Sequence, residues 1–486
     1  MKINRNFKEF RFRHRGKNNQ IIFTSKKVKD DSEVIDLIDN FLIDKNSFIF
    51  ESVEKGKIKG RYTIFGKNPD KIWEFNNKSS YLIKNNKKIK LNEDPKFLIE
   101  KIIESFKFKI PSNLPPIASI ISGYFSYDSI RYIEKIPNNC EDDLNIPDVR
   151  LMRPRTLIIY DNLKKKIFYI INVFRDEKIS NYQKKYLEIN TELFQHFNKS
   201  FSQSLKKNNS SKSKKIVVKS NTAKKKFLKM VEKAKKYIKL GDIFQVVLSQ
   251  RFEAKLTKSP LEIYKKLRIT NPSPFMFYFN FKDFQIIGAS PEILVRLRDN
   301  KITVRPIAGT RPRGKTLTQD KFYERDLLKD KKELSEHLML LDLGRNDAGK
   351  VSKINSVKVT ESFIIERYSH VMHIVSNVVG KYNKKFSKFK SLLAGFPAGT
   401  VSGAPKIRAM EIIDELEKTK RKVYAGGIGY FSANGEFDTC IALRTAVAKK
   451  NKFYVQAGAG IVADSKPINE YRETVNKAKA LINALK

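Results

Sequence analysis

Two glycine-rich stretches near the C-terminus of this chain frame an arginine. They are Ala425-Gly426-Gly427-Ile428-Gly429-Tyr430 and Gln456-Ala457-Gly458-Ala459-Gly460-Ile461-Val462-Ala463-Asp464, with Arg444 between them. Glycine lets backbone N–H groups come close to a ligand. A guanidinium offers a planar fork for a carboxylate. Downstream, Glu470, Glu473 and Lys477 share one stripe of a helix, and carboxylates at i and i+3 can hold Mg²⁺. Together these residues predict a pocket for a small anion that also carries a metal. Taken alone, such a stripe is more commonly a solvated face with an i,i+4 Glu–Lys pair. Hard-cation sites draw carboxylates from more than one element. Glu336, in Ser335-Glu336-His337-Leu338-Met339, is the second acidic candidate.

Three further segments carry chemistry-bearing residues. His373 sits in Ser369-His370-Val371-Met372-His373-Ile374-Val375-Ser376. It reads as a satisfied strand histidine or as an acid/base group. Thr400, in Gly399-Thr400-Val401-Ser402-Gly403-Ala404-Pro405-Lys406, lies in a glycine-flanked turn without Walker order. Arg305-Pro306-Ile307-Ala308-Gly309-Thr310-Arg311-Pro312-Arg313-Gly314 gathers cations around a tight turn.

The elements that must position these groups are mixed. Residues 1–195 alternate short β-rich runs with turns, such as Ser47–Phe50, Ile117–Phe125 and Thr156–Tyr160, the last forming a hairpin with Lys166–Ile171. Residues 196–221 are rich in Ser, Asn and Lys and read as a linker or surface loop. Residues 222–486 form a second region. It opens with an amphipathic helix over Thr222–Leu240, stopped by Gly241, and a strand over Phe244–Phe252. A helix from Pro260 follows, then strands at Phe275–Phe281, Gln285–Gly288, Ile293–Leu297 and Lys301–Val304. Asp320–Leu343 reads as one long helix with Leu327, Leu334, Leu338 and Leu341 on one side. The last helix is expected to be capped by Asp464 or Ser465, with Pro467 in its first turn. Irregular mixing without βαβ spacing predicts an α+β fold.

Length and composition narrow the class. The chain has 486 residues, 41% hydrophobic and 11% aromatic, enough for a packed core. No apolar run reaches bilayer length and the start leads into no signal core, so the expectation is a cytoplasmic protein with no membrane partner. The net charge of +45 raises nucleic-acid binding. The lysines are scattered in short runs, with no Arg-rich stripe interleaved with aromatics. That pattern reads as compositional drift and a steering field, with no nucleic-acid partner.

Jointly, the motifs resemble those of the chorismate-utilising enzymes, and closely the large subunit (component I) of anthranilate synthase. The N-terminal matches include Glu51-Ser52-Val53-Glu54, Gly60-Arg61-Tyr62, Gly123-Tyr124-Phe125-Ser126-Tyr127-Asp128 and Met152-Arg153-Pro154-Arg155-Thr156. The C-terminal matches include Gly241-Asp242-Ile243-Phe244-Gln245, Asn271-Pro272-Ser273-Pro274, Gly288-Ala289-Ser290-Pro291-Glu292 and Asp342-Leu343-Gly344-Arg345-Asn346-Asp347, with the segments above. The resemblance implies the chorismate-binding (ADC synthase-like) fold, two β-sheets packed in the core and helices outside. It implies Mg²⁺ held by Glu336 and Glu473 with Glu470 nearby. Chorismate would be held by Gly309, Thr310, Tyr424, Arg444 and the Gly458, Ala459, Gly460 backbone, with Lys477 supporting the metal-bound carboxylate. Glu292 matches the family's general acid, His373 the residue tied to pyruvate elimination, and Thr400 completes the implied catalytic set.

Two positions sort the branches. Water-adding relatives place a lysine base where this chain has Gln245. The para-aminobenzoate branch carries a nucleophilic lysine where this chain has Ala308. Both point to direct amination, so anthranilate synthase is expected, with aminodeoxychorismate synthase component I as the alternative. Cys140 and Cys440 lack the glycine-flanked elbow of a glutaminase. A separate glutamine amidotransferase subunit is therefore expected to supply ammonia, in a heterotetramer of two large and two small subunits. Ser52, Pro272, Ser273, Pro274, Phe275 and Met276 resemble the family's feedback site for L-tryptophan.

Overall fold

The structure, a computed structural model, describes residues 3–54, 57–58, 60–77, 79–198, 216–368 and 371–486. Ser369, His370 and residues 199–215 of the expected linker lie outside the described residues. The flanks of that linker are regular. Residues 196–198 end the Tyr182–Asn198 helix, and Val218–Ser220 pairs antiparallel with the Gln245–Lys255 strand.

Two long strands organise the molecule. Tyr62–Asn76 and Val149–Asp161 pair antiparallel along their lengths, with a register shift between Pro69 and Lys71. Pro69 offers no N–H to the ladder, and such sites suit bulges and bends. On one side of the shift, Tyr62–Asn76 pairs with Ser47–Glu51, and the ladder runs on through Phe275–Asn280, Gln285–Ser290, Thr445–Lys449, Lys452–Ile461 and Gln245–Lys255. On the other side, Val149–Asp161 pairs with Ile120–Phe125. That ladder continues through Gly427–Ser432, Phe437–Ile441, Ile293–Arg298, Lys301–Val304 and Val371–Lys381. Among the described residues, 22 strands thus share one hydrogen-bonded network, which the two long strands fold into two layers.

The faces turned toward each other bury Phe48, Ile64, Phe277, Phe279 and Val447 from the first layer against Tyr124, Met152, Ile428 and Cys440 from the second. Helices seal the outer faces. Ser32–Phe41, Pro260–Thr270 and Pro467–Ala484 cover one, and Pro95–Ser105, Lys388–Ala394 and Lys406–Leu416 cover the other. This is the expected α+β architecture of two packed sheets surrounded by helices. Regions 1–195 and 222–486 both contribute strands to both layers. Among the described residues, no helix is long and apolar enough to cross a membrane.

Two local expectations need correction. The stretch 320–343 is not one helix. Leu317–Lys329 stops at Asp330, whose extended backbone and side chain cap Lys331–Gly349 by accepting from the N–H groups of Lys332 and Glu333. The restart resets the helical phase, so His337 becomes fully buried while Leu338 is 58% exposed. The last helix is capped one residue later than expected, at Lys466 and without a side-chain bond. Ser465 instead accepts from the Val462 N–H.

Candidate active site

The Lys452–Ile461 strand is the floor of the site. Its glycines are required by what lies above them. A Cβ at Gly458 would sit 2.7 Å from the Tyr424 hydroxyl, and one at Gly460 would sit 2.6 Å from Gln245 Nε2. Gln245 Nε2 donates to Glu336 Oε1 at 2.9 Å. Lys477 Nζ donates to the Gly458 carbonyl at 3.0 Å and pairs with Glu473 Oε1 at 2.7 Å. Glu336 and Glu473, from two separate helices, are therefore both tied to the Gly458-Ala459-Gly460 segment. Burial raises the pKa of Glu470, and the neighbouring Glu473 charge adds to it; Ser465, Lys332 and Lys477 oppose. Lys332 lies one turn before Glu336, so the two helices bring their acidic stripes toward each other.

The expected trio Glu336, Glu470 and Glu473 does not close into a three-donor cluster. Among the described residues, no three His, Cys, Asp or Glu side chains are gathered that way. The structure instead offers two pairs, Glu470 with Glu473 and Glu333 with Glu336. Glu333 was missed in the sequence. Its pKa is raised by burial and then by the Glu336 charge, and its i,i+3 spacing from Glu336 was the available signal. All four donors are hard oxygens, and like charges crowd within each pair. That chemistry suits a divalent cation held by one or two carboxylates with water completing its shell.

The general-acid candidate lies on a separate turn. Glu292 falls in the turn between Gln285–Ser290 and Ile293–Arg298, 5% exposed. The Thr400 hydroxyl lies 3.2 and 3.3 Å from its two carboxyl oxygens, and the Ile307 N–H also donates to it. Burial outweighs both bonds and pushes its pKa up to about 8. Glu292 is therefore protonated at neutral pH.

His373 is shifted the opposite way. It lies on Val371–Lys381 opposite Thr310, where a register shift between Ala308 and Thr310 accompanies a left-handed Gly309 (φ +68°). The bulge aims the Gly309 carbonyl at His373 Nδ1, 3.1 Å away, with Thr310 Oγ1 at 3.0 Å. A carbonyl only accepts, so Nδ1 carries the proton and Nε2 keeps its lone pair. Burial first, then the Arg444 and Lys477 charges against the Gly309 bond, lowers its pKa to about 4. The ring is neutral at pH 7.

Arg444 takes a left-handed backbone (φ +47°) between the Phe437–Ile441 and Thr445–Lys449 strands. Burial lowers its pKa, and among the described residues no carboxylate pairs with it. A desolvated guanidinium without a counter-ion is complementary to an anionic ligand. Tyr424 is buried, its pKa pushed up to about 12 by burial, so its phenol stays a donor. Ala308 contributes no nucleophile beside the site.

The expected inhibitor residues are also brought together. Glu51 pairs with Met276 across the strands, and the Val53 N–H donates to the Ser273 carbonyl at 3.1 Å. Glu51 is buried and accepts from the Tyr264 hydroxyl and from Arg268 Nε at 2.9 Å, which fixes the strand end that presents Ser52. Ser52, Pro274, Phe275 and Met276 line a cavity of about 740 Å³ with Tyr430 and Cys440. Ser52 and Pro272 to Phe275 also line a second cavity of about 580 Å³, whose far wall includes Pro291, Ile307 and Tyr368. The cysteines are unreactive. Burial raises both thiol pKa values; Cys140 donates to the Asp414 and Glu417 carbonyls, and Cys440 is buried.

Comparison with known proteins accounts for this arrangement. The family model described as chorismate binding enzyme matches residues 48–483, and the chain belongs to that family. Within it, the chain groups with anthranilate synthase component 1. It is 47% identical over 475 residues to the protein of that name from Cereibacter sphaeroides, covering 96% of this chain and 94% of that one. It is 45% identical over 478 residues to the protein of that name from Acetivibrio thermocellus, covering 96% of both. The crystal structure of anthranilate synthase component I from Streptococcus pneumoniae superposes with a TM-score of 0.77 at 40% identity, covering 87% of this chain and 93% of that one.

Proposed function

We propose that this chain is a lyase that converts chorismate and ammonia to anthranilate and pyruvate in the cytoplasm, as the first committed step toward L-tryptophan. The observation that carries the reading is the opposed pair along the Ile307–Pro312 strand: a carboxyl held protonated at Glu292, which accepts from the Ile307 N–H, and an imidazole held neutral at His373, which donates to the Gly309 carbonyl, with a buried arginine nearby that no carboxylate pairs among the described residues. Environments that push two titratable groups apart define an acid and a base.

Arg444, the Tyr424 phenol and the glycine-rich backbone bind and orient the dianionic ring. Ammonia adds at C2, and Glu292 gives its proton to the departing C4 hydroxyl, while Thr400 holds the carboxyl in place. His373 Nε2 then takes the C2 proton as the C3–O bond breaks and the ring becomes aromatic, and that proton passes to the methylene carbon of the departing enolpyruvate to give pyruvate. Mg²⁺, held by Glu336 and Glu473 with Glu470 nearby, would supply charge neutralisation to the substrate carboxylate, and Lys477 fixes Glu473. Gln245 cannot deprotonate water, which disfavours hydration. Ala308 offers no amine, and the relatives favour anthranilate over the aminodeoxychorismate alternative.

Ammonia comes from a glutamine amidotransferase subunit, because neither thiol of this chain is poised for attack; a heterotetramer with two of each is the proposed assembly. The purified chain is therefore expected to form anthranilate from chorismate with ammonium salts and Mg²⁺, to stop on chelation, and to make none with glutamine. Fluorescence of the product measures all three. Glutamine-driven turnover by the single chain would contradict the partner, and no product with ammonium the whole reading.

The cavity at Ser52 supports feedback inhibition by L-tryptophan. Its apolar wall from Pro274 to Met276 suits an indole, and the Ser52 hydroxyl a polar end. Ser52→Phe fills this space. The expected outcome is a rise of about tenfold or more in the tryptophan concentration giving half inhibition, a loss of about 1.4 kcal/mol. An unchanged inhibition curve would remove this cavity from regulation.

A further inference from the structure

The cavity of about 580 Å³ beneath the Pro272–Phe275 turn ends on a residue that the reaction above does not use. Tyr368 lies at the end of the Lys358–Arg367 strand and shares that cavity wall with Pro291 and Ile307. Pro291 immediately precedes Glu292, and Ile307 donates to its carboxyl. The Tyr368 ring meets the His373 ring edge-on at 5.5 Å and 65°. Its hydroxyl donates to Glu366 Oε2 at 2.8 Å, its carbonyl accepts from Arg313 Nη1 at 2.8 Å, and its N–H donates to the Val371 carbonyl at 2.8 Å. Its phenol lies within electrostatic range of the Glu292 carboxyl and of the Arg444 guanidinium. One side chain therefore packs on the base and shares a cavity wall with the residue before the acid and with the acid's backbone donor.

We propose that Tyr368 is a positioning residue: its ring braces the His373 imidazole and shuts the Glu292 carboxyl off from the cavity behind the Pro272–Phe275 turn. The inference rests on the catalytic reading above. Its physical basis is that the ring, not the hydroxyl, does the sealing. Three hydrogen bonds hold the residue, so its ring is fixed against the His373 imidazole. The groups that bond to Glu292 are the Thr400 hydroxyl from the Gly399–Val401 turn and the Ile307 N–H from the Ile307–Pro312 strand, and Tyr368 lies within its electrostatic range. Those facing His373 are Gly309, Thr310, Arg444, Lys477, Glu366 and Tyr368. None of them ion-pairs with Glu292, so exclusion of water is what keeps it protonated.

The test is the pH dependence of ammonia-driven kcat in Tyr368→Phe, Tyr368→Leu and Tyr368→Met, with product analysis at each pH. Leu and Met keep volume while removing the ring, so at least one is expected to fold. In both, the basic limb is expected to move down by about one pH unit or more as water reaches Glu292, and the aminated intermediate to appear beside anthranilate as His373 loosens. Tyr368→Phe is expected to restore the limb near pH 8. The proposal is overturned if the Leu and Met variants lose rate equally at every pH with the limb unmoved, if Phe shifts the limb as far as they do, or if neither folds. A wild-type chain that makes no anthranilate from ammonium would instead sink the catalytic reading itself.

Discussion

Glu292→Gln is expected to lower ammonia-driven kcat by about 10²–10⁴-fold, the range for losing a positioned general acid. The substitution keeps size and leaves an oxygen to accept from Thr400 and Ile307, so the chorismate pocket is preserved. What disappears is the proton delivered to the C4 hydroxyl. In the wild type that proton is held because burial pushes the carboxyl up to about 8. Activity should therefore fall as pH rises through about 8, and the variant should show a flat residual rate there. A stability signature accompanies the rate. Because the folded-state pKa lies above the unfolded value, folding takes up a proton. The contribution is fully present below the unfolded pKa of about 4.5 and is lost as pH rises through 8. Glutamine has no such ionisation. The melting temperature of the variant should gain on the wild type between pH 4 and pH 8.5, by on the order of a few kcal/mol in stability. Equal pH trends in rate and in melting would show that Glu292 is not the acid.

The site's parts were legible where function imposes a local pattern. Glycine runs mark strands that side chains must approach, and Gly458 and Gly460 are each crowded by one: Tyr424 and Gln245. The acidic stripe at Glu470 and Glu473 was readable from helical spacing. The folded layers were legible as strands but not as partners, because Ser47–Glu51 pairs with Phe275–Asn280 across more than two hundred residues. What no periodicity could give is the Asp330 break. A single capping aspartate re-phased the following helix and buried His337 in place of Leu338. The Glu292–Thr400 bond spans 108 positions and belongs to tertiary packing alone. Tyr368 was invisible for the same reason: its packing on His373 and its place on a cavity wall with Pro291 and Ile307 exist only once separate segments are assembled. The excess of lysine carried no positional information, whereas the unpaired Arg444 did, and only burial distinguishes the two.

The second large effect concerns the other half of the pair. His373→Met is expected to cut anthranilate formation by about 10²–10⁴-fold while amination continues, so the aminated intermediate should build up and be seen by mass and by its lack of anthranilate fluorescence. Gly309 is turned by its bulge so that its carbonyl fixes the proton on Nδ1, and Nε2 is left as the lone base facing the ring. Burial and the Arg444 and Lys477 charges hold the pKa near 4, so the base is free at any pH above that and is lost as pH falls through it. Methionine fills the space without a lone pair of comparable basicity. The amination step draws its proton from Glu292, in the turn before Ile293, whose hydrogen bonds come from Thr400 and Ile307 and not from the imidazole. Division of labour between two oppositely shifted groups thus predicts a block at the second step only. If the variant released anthranilate at the wild-type rate, or failed equally at both steps, the assignment of elimination to His373 would be wrong.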